Sequence, residues 1–252
     1  MLDTATARLL PNLVIIGATK CGTTALHRYL DHHPEIAMAR EKELNFFIGD
    51  DGPCGAGDPW RWHAGNWHRG VRWYVDRFEP ARVRGETSPG YTSPSAVDAP
   101  ARMAVLIPHA RLIYLVRDPV ERAISQYRHH RAEGSERRGI EEALFDPSSQ
   151  YLARSRYHER LSPFLARFPR EQILVCAREE LLHDRRMTLA AIYRFLGLEA
   201  GFWCTEQDRL WHVGRPELAV DRRIRARLGA ELREDAHRLR AEVARDFPGW
   251  AV

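Results

Sequence analysis

One stretch near the start of the chain limits the fold more than any other. Leu13-Val14-Ile15-Ile16 is an apolar, β-branched run that reads as a buried strand. It breaks at Gly17, and a helical pattern follows from about Thr23 to His32. Four residues separate Gly17 from Gly22, the spacing of a phosphate-binding loop. Such a loop turns backbone N–H groups toward an anion at a helix N-terminus, where the helix dipole favours negative charge. In the nucleotide-hydrolase version a lysine follows the second glycine directly. Here Thr23 holds that place and the lysine comes earlier, as Lys20. The hydroxyls of Thr23 and Thr24 are placed to cap the helix or to donate to a phosphate. Taken alone, the stretch also fits an ordinary strand-turn-helix corner with a surface lysine.

The rest of the chain bounds the class. Its 252 residues suffice for one large α/β domain with a full core. No apolar run approaches the roughly 20 residues that span a bilayer, so no membrane insertion is expected. Met1 to Pro11 shows no apolar core or small-residue cleavage site, so no secretory signal is expected. Cys21, Cys54, Cys176 and Cys204 are scattered without a CxxC pair. That pattern predicts a reduced, cytoplasmic protein with no metal. The net charge of +4 comes from arginines interleaved with acids, not from a concentrated basic run. It suits an anionic cofactor, and no nucleic-acid partner is expected.

Strand and helix patterns alternate along the chain. Strands are expected over 35–39, 82–87, 111–116 and 172–177, and helices over 68–78, 97–107 and 119–131. Longer helices are expected over 151–168, 180–196 and 220–247. This order predicts a single domain over 1–252, a P-loop-like three-layer α/β/α fold with a central parallel sheet. Arg117 ends the 111–116 strand and Ser125 lies in the next helix, so the two flank the crevice where open α/β sheets bind ligands. Residues 49–67 are rich in glycine and carry Trp60, Trp62 and Trp67. They read either as a lid over an acceptor or as a loop pinned to the core by its rings.

Three separated motifs together resemble the sulfotransferases that use 3′-phosphoadenosine 5′-phosphosulfate (PAPS). Gly17-Ala18-Thr19-Lys20-Cys21-Gly22-Thr23-Thr24 resembles their 5′-phosphosulfate loop. The stretch from Arg117-Asp118-Pro119 through Arg122 and Ser125 to Tyr127 resembles their 3′-phosphate motif. Gly201-Phe202-Trp203-Cys204 and Gly214-Arg215, within residues 200–216, resemble their late nucleotide-binding loop. The branch is similar to heparan sulfate N- and 3-O-sulfotransferases and their bacterial relatives.

The resemblance implies PAPS as donor, 3′,5′-ADP (PAP) as product and no metal. It assigns Thr19, Lys20, Cys21, Gly22, Thr23, Thr24, Arg117 and Ser125 to the cofactor, together with Phe202, Trp203, Gly214 and Arg215. Glu43, in Lys42-Glu43-Leu44-Asn45-Phe46-Phe47, matches the catalytic glutamate, with Lys20 on the leaving phosphate. Glu41, two residues away, is the competing carboxylate. None of the histidines, His27, His32 and His33 included, is placed by its sequence beside the loop. Glu43, Asn45, Trp60, Trp62, Thr87 and Tyr91 are the residues implied for the acceptor.

The chain also departs from the resembling motifs. Thr87 stands where a lysine is expected, Asn45 where a histidine or glutamine is expected, and Val213 precedes Gly214-Arg215 in place of a lysine. Cys204 has no second cysteine nearby. The first two departures weigh against a polysaccharide acceptor, and the missing cysteine fits a cytoplasmic, bacterial-type enzyme, in a setting such as secondary metabolism. Its acceptor would be a small molecule, glycolipid or carbohydrate, and its oligomeric state is left open. Two other classes fit parts of the pattern: a P-loop kinase or NTPase, and a non-catalytic nucleotide- or nucleic-acid-binding module.

Overall fold

The computed structural model describes residues 8–49, 65–211 and 219–252. Its sheet follows from five apolar segments: β1 (Leu13–Gly17), β2 (Ile36–Met38), β3 (Val83–Thr87), β4 (Arg111–Val116) and β5 (Ile173–Ala177). Their order is β2-β3-β1-β4-β5 and every pairing is parallel. β1 is buried along its whole length, as a strand covered by helices on both faces must be. In a parallel sheet all the C-terminal ends lie on one edge. The segments leaving β1, β3, β4 and β5 therefore emerge side by side, with β1 between β3 and β4.

The helices are α1 (Thr23–Asp31), α2 (Gly70–Val75), α3 (Ala99–Leu106), α4 (Pro119–Ala132) and α5 (Ile140–Phe145). After these come α6 (Gln150–Ala153), α7 (Tyr157–Leu165), α8 (Arg178–His183), α9 (Arg185–Phe195) and α10 (Arg222–Val243). The main core surrounds the sheet. A second apolar cluster joins α4, α5, α6 and α10 through Ile124, Leu144, Tyr151, Leu228 and Leu232.

Two expected helices are each broken in two. The 151–168 pattern splits between α6 and α7. A continuing helix would pass the Tyr151 carbonyl to the Ser155 N–H. Instead Tyr151 O accepts from Arg122 Nη2, and Ser155 N–H turns back to Leu152 O at 2.8 Å. The Ser155 hydroxyl accepts from Arg122 Nε at 2.6 Å. A tertiary contact from α4 thus overrides the local helical pattern. The 180–196 pattern starts earlier than expected and breaks at Asp184, whose carboxylate accepts the Met187 N–H at 3.2 Å and caps a new helix.

Candidate functional site

The phosphate loop leaves β1 and enters α1. Gly17 is obligatory there, because a Cβ would lie 2.3 Å from Thr92 Oγ1. Gly22 is the N-cap of α1 at φ +92°, a left-handed backbone that glycine adopts without strain. It supplies no side-chain cap, so the first N–H groups of α1, at Thr23 and Thr24, are available to an anion. Lys20 sits in the loop at φ +69°. Cys21 is the exception among the expected loop contacts. Its N–H donates to Ala18 O, and its buried thiol, pushed up to about 11 by desolvation, faces the Tyr157 hydroxyl at 3.5 Å. It shapes the loop from beneath and offers neither group to a ligand.

Arginines gather at this edge of the sheet. Arg117 leaves β4 and Arg178 opens α8 directly after β5. The Arg178 side chain covers Gly22. Arg122, from the first turn of α4, is fully buried and bonded to Ser155, Gln126 and the Tyr151 carbonyl. Arg154 follows α6 and reaches Thr19 in the loop. Burial is the main force lowering the pKa of Arg122, Arg154 and Arg178, and in each case another arginine lowers it further. The positive charges repel one another, and an anion with several charges relieves that repulsion. Glu179 is a nearby carboxylate, with one oxygen accepting the Asp118 N–H at 3.1 Å. Arg117 meets Glu121 only at 3.9 Å, and Arg225 also binds that carboxylate. Asp118 accepts N–H groups from Val120, Glu121 and Ala251, as a helix cap does. Ser125 is half-buried in the second turn of α4.

The 42–47 segment lies against the C-terminal end of β3, the neighbour of β1. Glu43 and Asn45 both adopt positive φ, +64° and +46°. Asparagine tolerates that backbone, but a glutamate persists there only when its surroundings hold it, and such strain concentrates at functional sites. β3 supplies the hold. Glu43 N–H donates to Thr87 O at 2.8 Å, and Asn45 N–H to Ser88 Oγ at 3.0 Å. Ser88 in turn donates to Glu86, a buried carboxylate that also accepts from Tyr74 (2.5 Å) and Tyr91 (2.8 Å). Phe46 stacks on Tyr74, with ring centroids 4.1 Å apart. Tyr91 is 1% exposed and spends its hydroxyl on Glu86, so it stands behind this wall and does not line it. The Glu43 carboxylate is 34% exposed and held by Lys42 Nζ at 2.7 Å. Glu41 is 64% exposed and faces Arg77.

Thr87 is buried as well, with its Oγ1 3.0 Å from His27 Nδ1. His27, on α1, was not placed by sequence and proves to be a core residue that ties the loop helix to β3. Desolvation, more than the nearby Lys42 and Arg28, lowers its pKa from 6.5 to about 4. The neutral ring is therefore the folded form. Its contribution to stability is complete above pH 6.5 and is lost as pH falls toward 4, by about 3 kcal/mol in all. His27→Gln should flatten the fall in urea-derived stability over this range relative to wild type. Parallel curves for the two proteins would contradict the assignment.

The remaining expected residues lie apart. Phe202 packs on His33 and Tyr193, and Trp203 stacks with Arg186. His33 follows α1, roughly 15 Å along from its first turn. These contacts fix the start of the 200–216 loop to the far end of that helix. Trp60, Trp62, Gly214 and Arg215 lie outside the described residues, as do most of the 49–67 stretch and the end of the 200–216 loop. Arg154 and Arg178 were missed, and Arg122, part of the Arg117–Tyr127 motif, was given no role. Arg178 had a legible signal, since it follows an apolar strand as Arg117 does.

A family model described as Sulfotransferase domain matches residues 10–212. The chain is 28% identical over 232 residues to the bifunctional heparan sulfate N-deacetylase/N-sulfotransferase 2 of Bos taurus, covering 77% of this chain and 24% of that protein. It is 31% identical over 205 residues to the heparan sulfate glucosamine 3-O-sulfotransferase 3B1 of Mus musculus, covering 77% and 48%. The match thus spans about a quarter to a half of these relatives' length. Among solved structures, a sulfotransferase from Alicyclobacillus acidocaldarius superposes with a TM-score of 0.80 at 29% identity, over 96% of this chain and 99% of that one.

Proposed function

The chain belongs to the sulfotransferase domain family, and we propose that it moves a sulfuryl group from PAPS to a hydroxyl, or less readily an amine, of a small-molecule, glycolipid or carbohydrate acceptor. The observation that carries this reading is the convergence of mutually repelling arginines on a phosphate loop, opposite a strained glutamate. The fit to a nucleotide with phosphates at both ends rests on two separate anion positions. One is the uncapped start of α1, with Thr19, Lys20, Gly22, Thr23 and Thr24. The other is the end of β4, where Arg117 and Ser125 would hold the 3′-phosphate. Phe202, Trp203, Gly214 and Arg215 are assigned to the nucleotide by resemblance. Glu43 is assigned as the base, with Asn45, Thr87, Trp60 and Trp62 beside the acceptor.

PAPS supplies an activated sulfuryl group. Lys20 is placed to meet negative charge growing on the departing phosphate oxygen. Glu43 is placed to accept the acceptor's proton. None of these roles requires a metal ion. No described helix is long and apolar enough to cross a membrane. Among the described residues Cys21, Cys176 and Cys204 are free thiols, which is compatible with a reducing, cytoplasmic setting.

The test is a nucleotide panel read by thermal shift and titration. PAP should stabilise the protein without magnesium, and ATP with magnesium should not. Arg117→Ala should weaken PAP by about tenfold or more, the loss of one charged hydrogen bond, and leave 5′-AMP nearly unchanged. A response to ATP-magnesium alone would favour the kinase class. Equal weakening of PAP and 5′-AMP would remove Arg117 from the 3′-phosphate. Labelled PAPS with an acceptor library then identifies the acceptor.

A further inference from the structure

Arg154 stands at the break between α6 and α7, and the break carries its side chain to the phosphate loop. Its Nη1 donates to Thr19 Oγ1 at 3.1 Å and its Nη2 to Ser93 Oγ at 2.9 Å. Its Nε is buried without a hydrogen-bond partner among the described residues, and the residue is 6% exposed. A guanidinium has five N–H donors and no acceptor. Two reach neutral hydroxyls, and among the described residues no carboxylate is bonded to the charge. Desolvation and the repulsion of Arg122 lower its pKa to about 9, and the field of Glu43 opposes them. A buried cation held this way destabilises the free protein unless an anion completes it. Each hydroxyl accepts from Arg154, so its own proton points elsewhere. The Ser93 hydroxyl has Ser95 Oγ at 3.1 Å, and Thr19 directly precedes Lys20 in the loop.

We propose that Arg154, Thr19 and Ser93 form the subsite for the tetrahedral sulfo group of the donor, on the Glu43 side of the phosphate loop. Arg154 is a positioning residue here. It orients the Thr19 hydroxyl and supplies the positive charge, while Ser93 fixes the guanidinium. The subsite rests on PAPS being the donor, and it separates donor from product, because PAP lacks the sulfo group.

The experiment measures the affinities of PAPS and PAP, without acceptor, for wild type and Arg154→Met, together with the melting temperature of each free protein. Arg154→Met should weaken PAPS about tenfold and PAP less than twofold, a split that a purely structural role would not produce. The free variant should melt no lower than wild type, since an uncompensated buried charge is gone. Equal weakening of both nucleotides, or a lower melting temperature with both affinities kept, overturns the subsite and makes Arg154 a support of the loop. Should Arg154→Met not fold, Arg154→Lys keeps the charge on a different donor geometry. It should still weaken PAPS more than PAP, and equal affinities overturn the proposal. A split that appears only after an acidic acceptor is added overturns the donor assignment of the subsite and moves the anion to the acceptor. Wild-type protein that binds neither nucleotide overturns the PAPS reading and the subsite together, whereas wild type binding both with no split in the variants overturns the subsite alone.

Discussion

Glu43→Gln is expected to lower turnover by ~10²–10⁴-fold while PAPS affinity stays nearly unchanged. Glutamine keeps the size and the hydrogen-bonding shape of the side chain and removes its ability to take a proton. The Thr87 carbonyl and the Ser88 hydroxyl hold residues 43 and 45 in left-handed conformations, which asparagine tolerates and the Glu43 side chain disfavours. That hold comes from β3 and so survives the substitution, which limits the effect to chemistry. The Glu43 N–H bonds Thr87 O, and Thr87 pairs with Ile15 of β1, so residue 43 lies beside the strand that feeds the phosphate loop. A lost transition-state proton transfer lowers kcat and kcat/KM together. Glu41→Gln is the control, since its carboxylate faces solvent and Arg77. Near-normal turnover in Glu43→Gln, with Glu41→Gln inactive, would falsify the assignment and move the base two residues back.

Lys20→Ala should lower turnover by ~10²-fold or more, the loss found when one preorganised electrostatic group is removed from a transition state. The effect should fall on rate more than on nucleotide affinity. Charge on the departing phosphate oxygen grows only as the bond to sulfur breaks, and a cation aimed there favours the transition state over the bound donor. On the proposed reading Arg117 and the N-terminus of α1 also hold the nucleotide, so the loss of one loop cation should leave much of the affinity in place. Steady-state kinetics with saturating acceptor separate the two effects. Unchanged turnover with a raised KM for PAPS would reduce Lys20 to a binding residue.

The phosphate loop, the five strands and the 42–47 segment were legible in the sequence because their signals are local. An apolar run marks β1, β4 and β5, and the spacing of Gly17 and Gly22 marks the turn between them and a helix. A parallel sheet then brings loop ends 100 residues apart, Gly17 and Arg117, to one edge without further information. Positive φ at Glu43 left no such trace, because glycine does not occupy the position and the strain is held by β3. The burial of Arg122, Arg154 and Arg178 was equally hidden. Whether a charge is solvated depends on what packs over it, and Arg154 lies 135 residues from the threonine it holds. The same contacts broke a helix that its own residues would have continued, since Arg122 took the carbonyl that the next turn needed. Local sequence determined which elements form and where an anion could sit. Tertiary structure alone decided which cations are buried around it, because desolvation and hydrogen-bond competition act between segments that local pattern treats as independent.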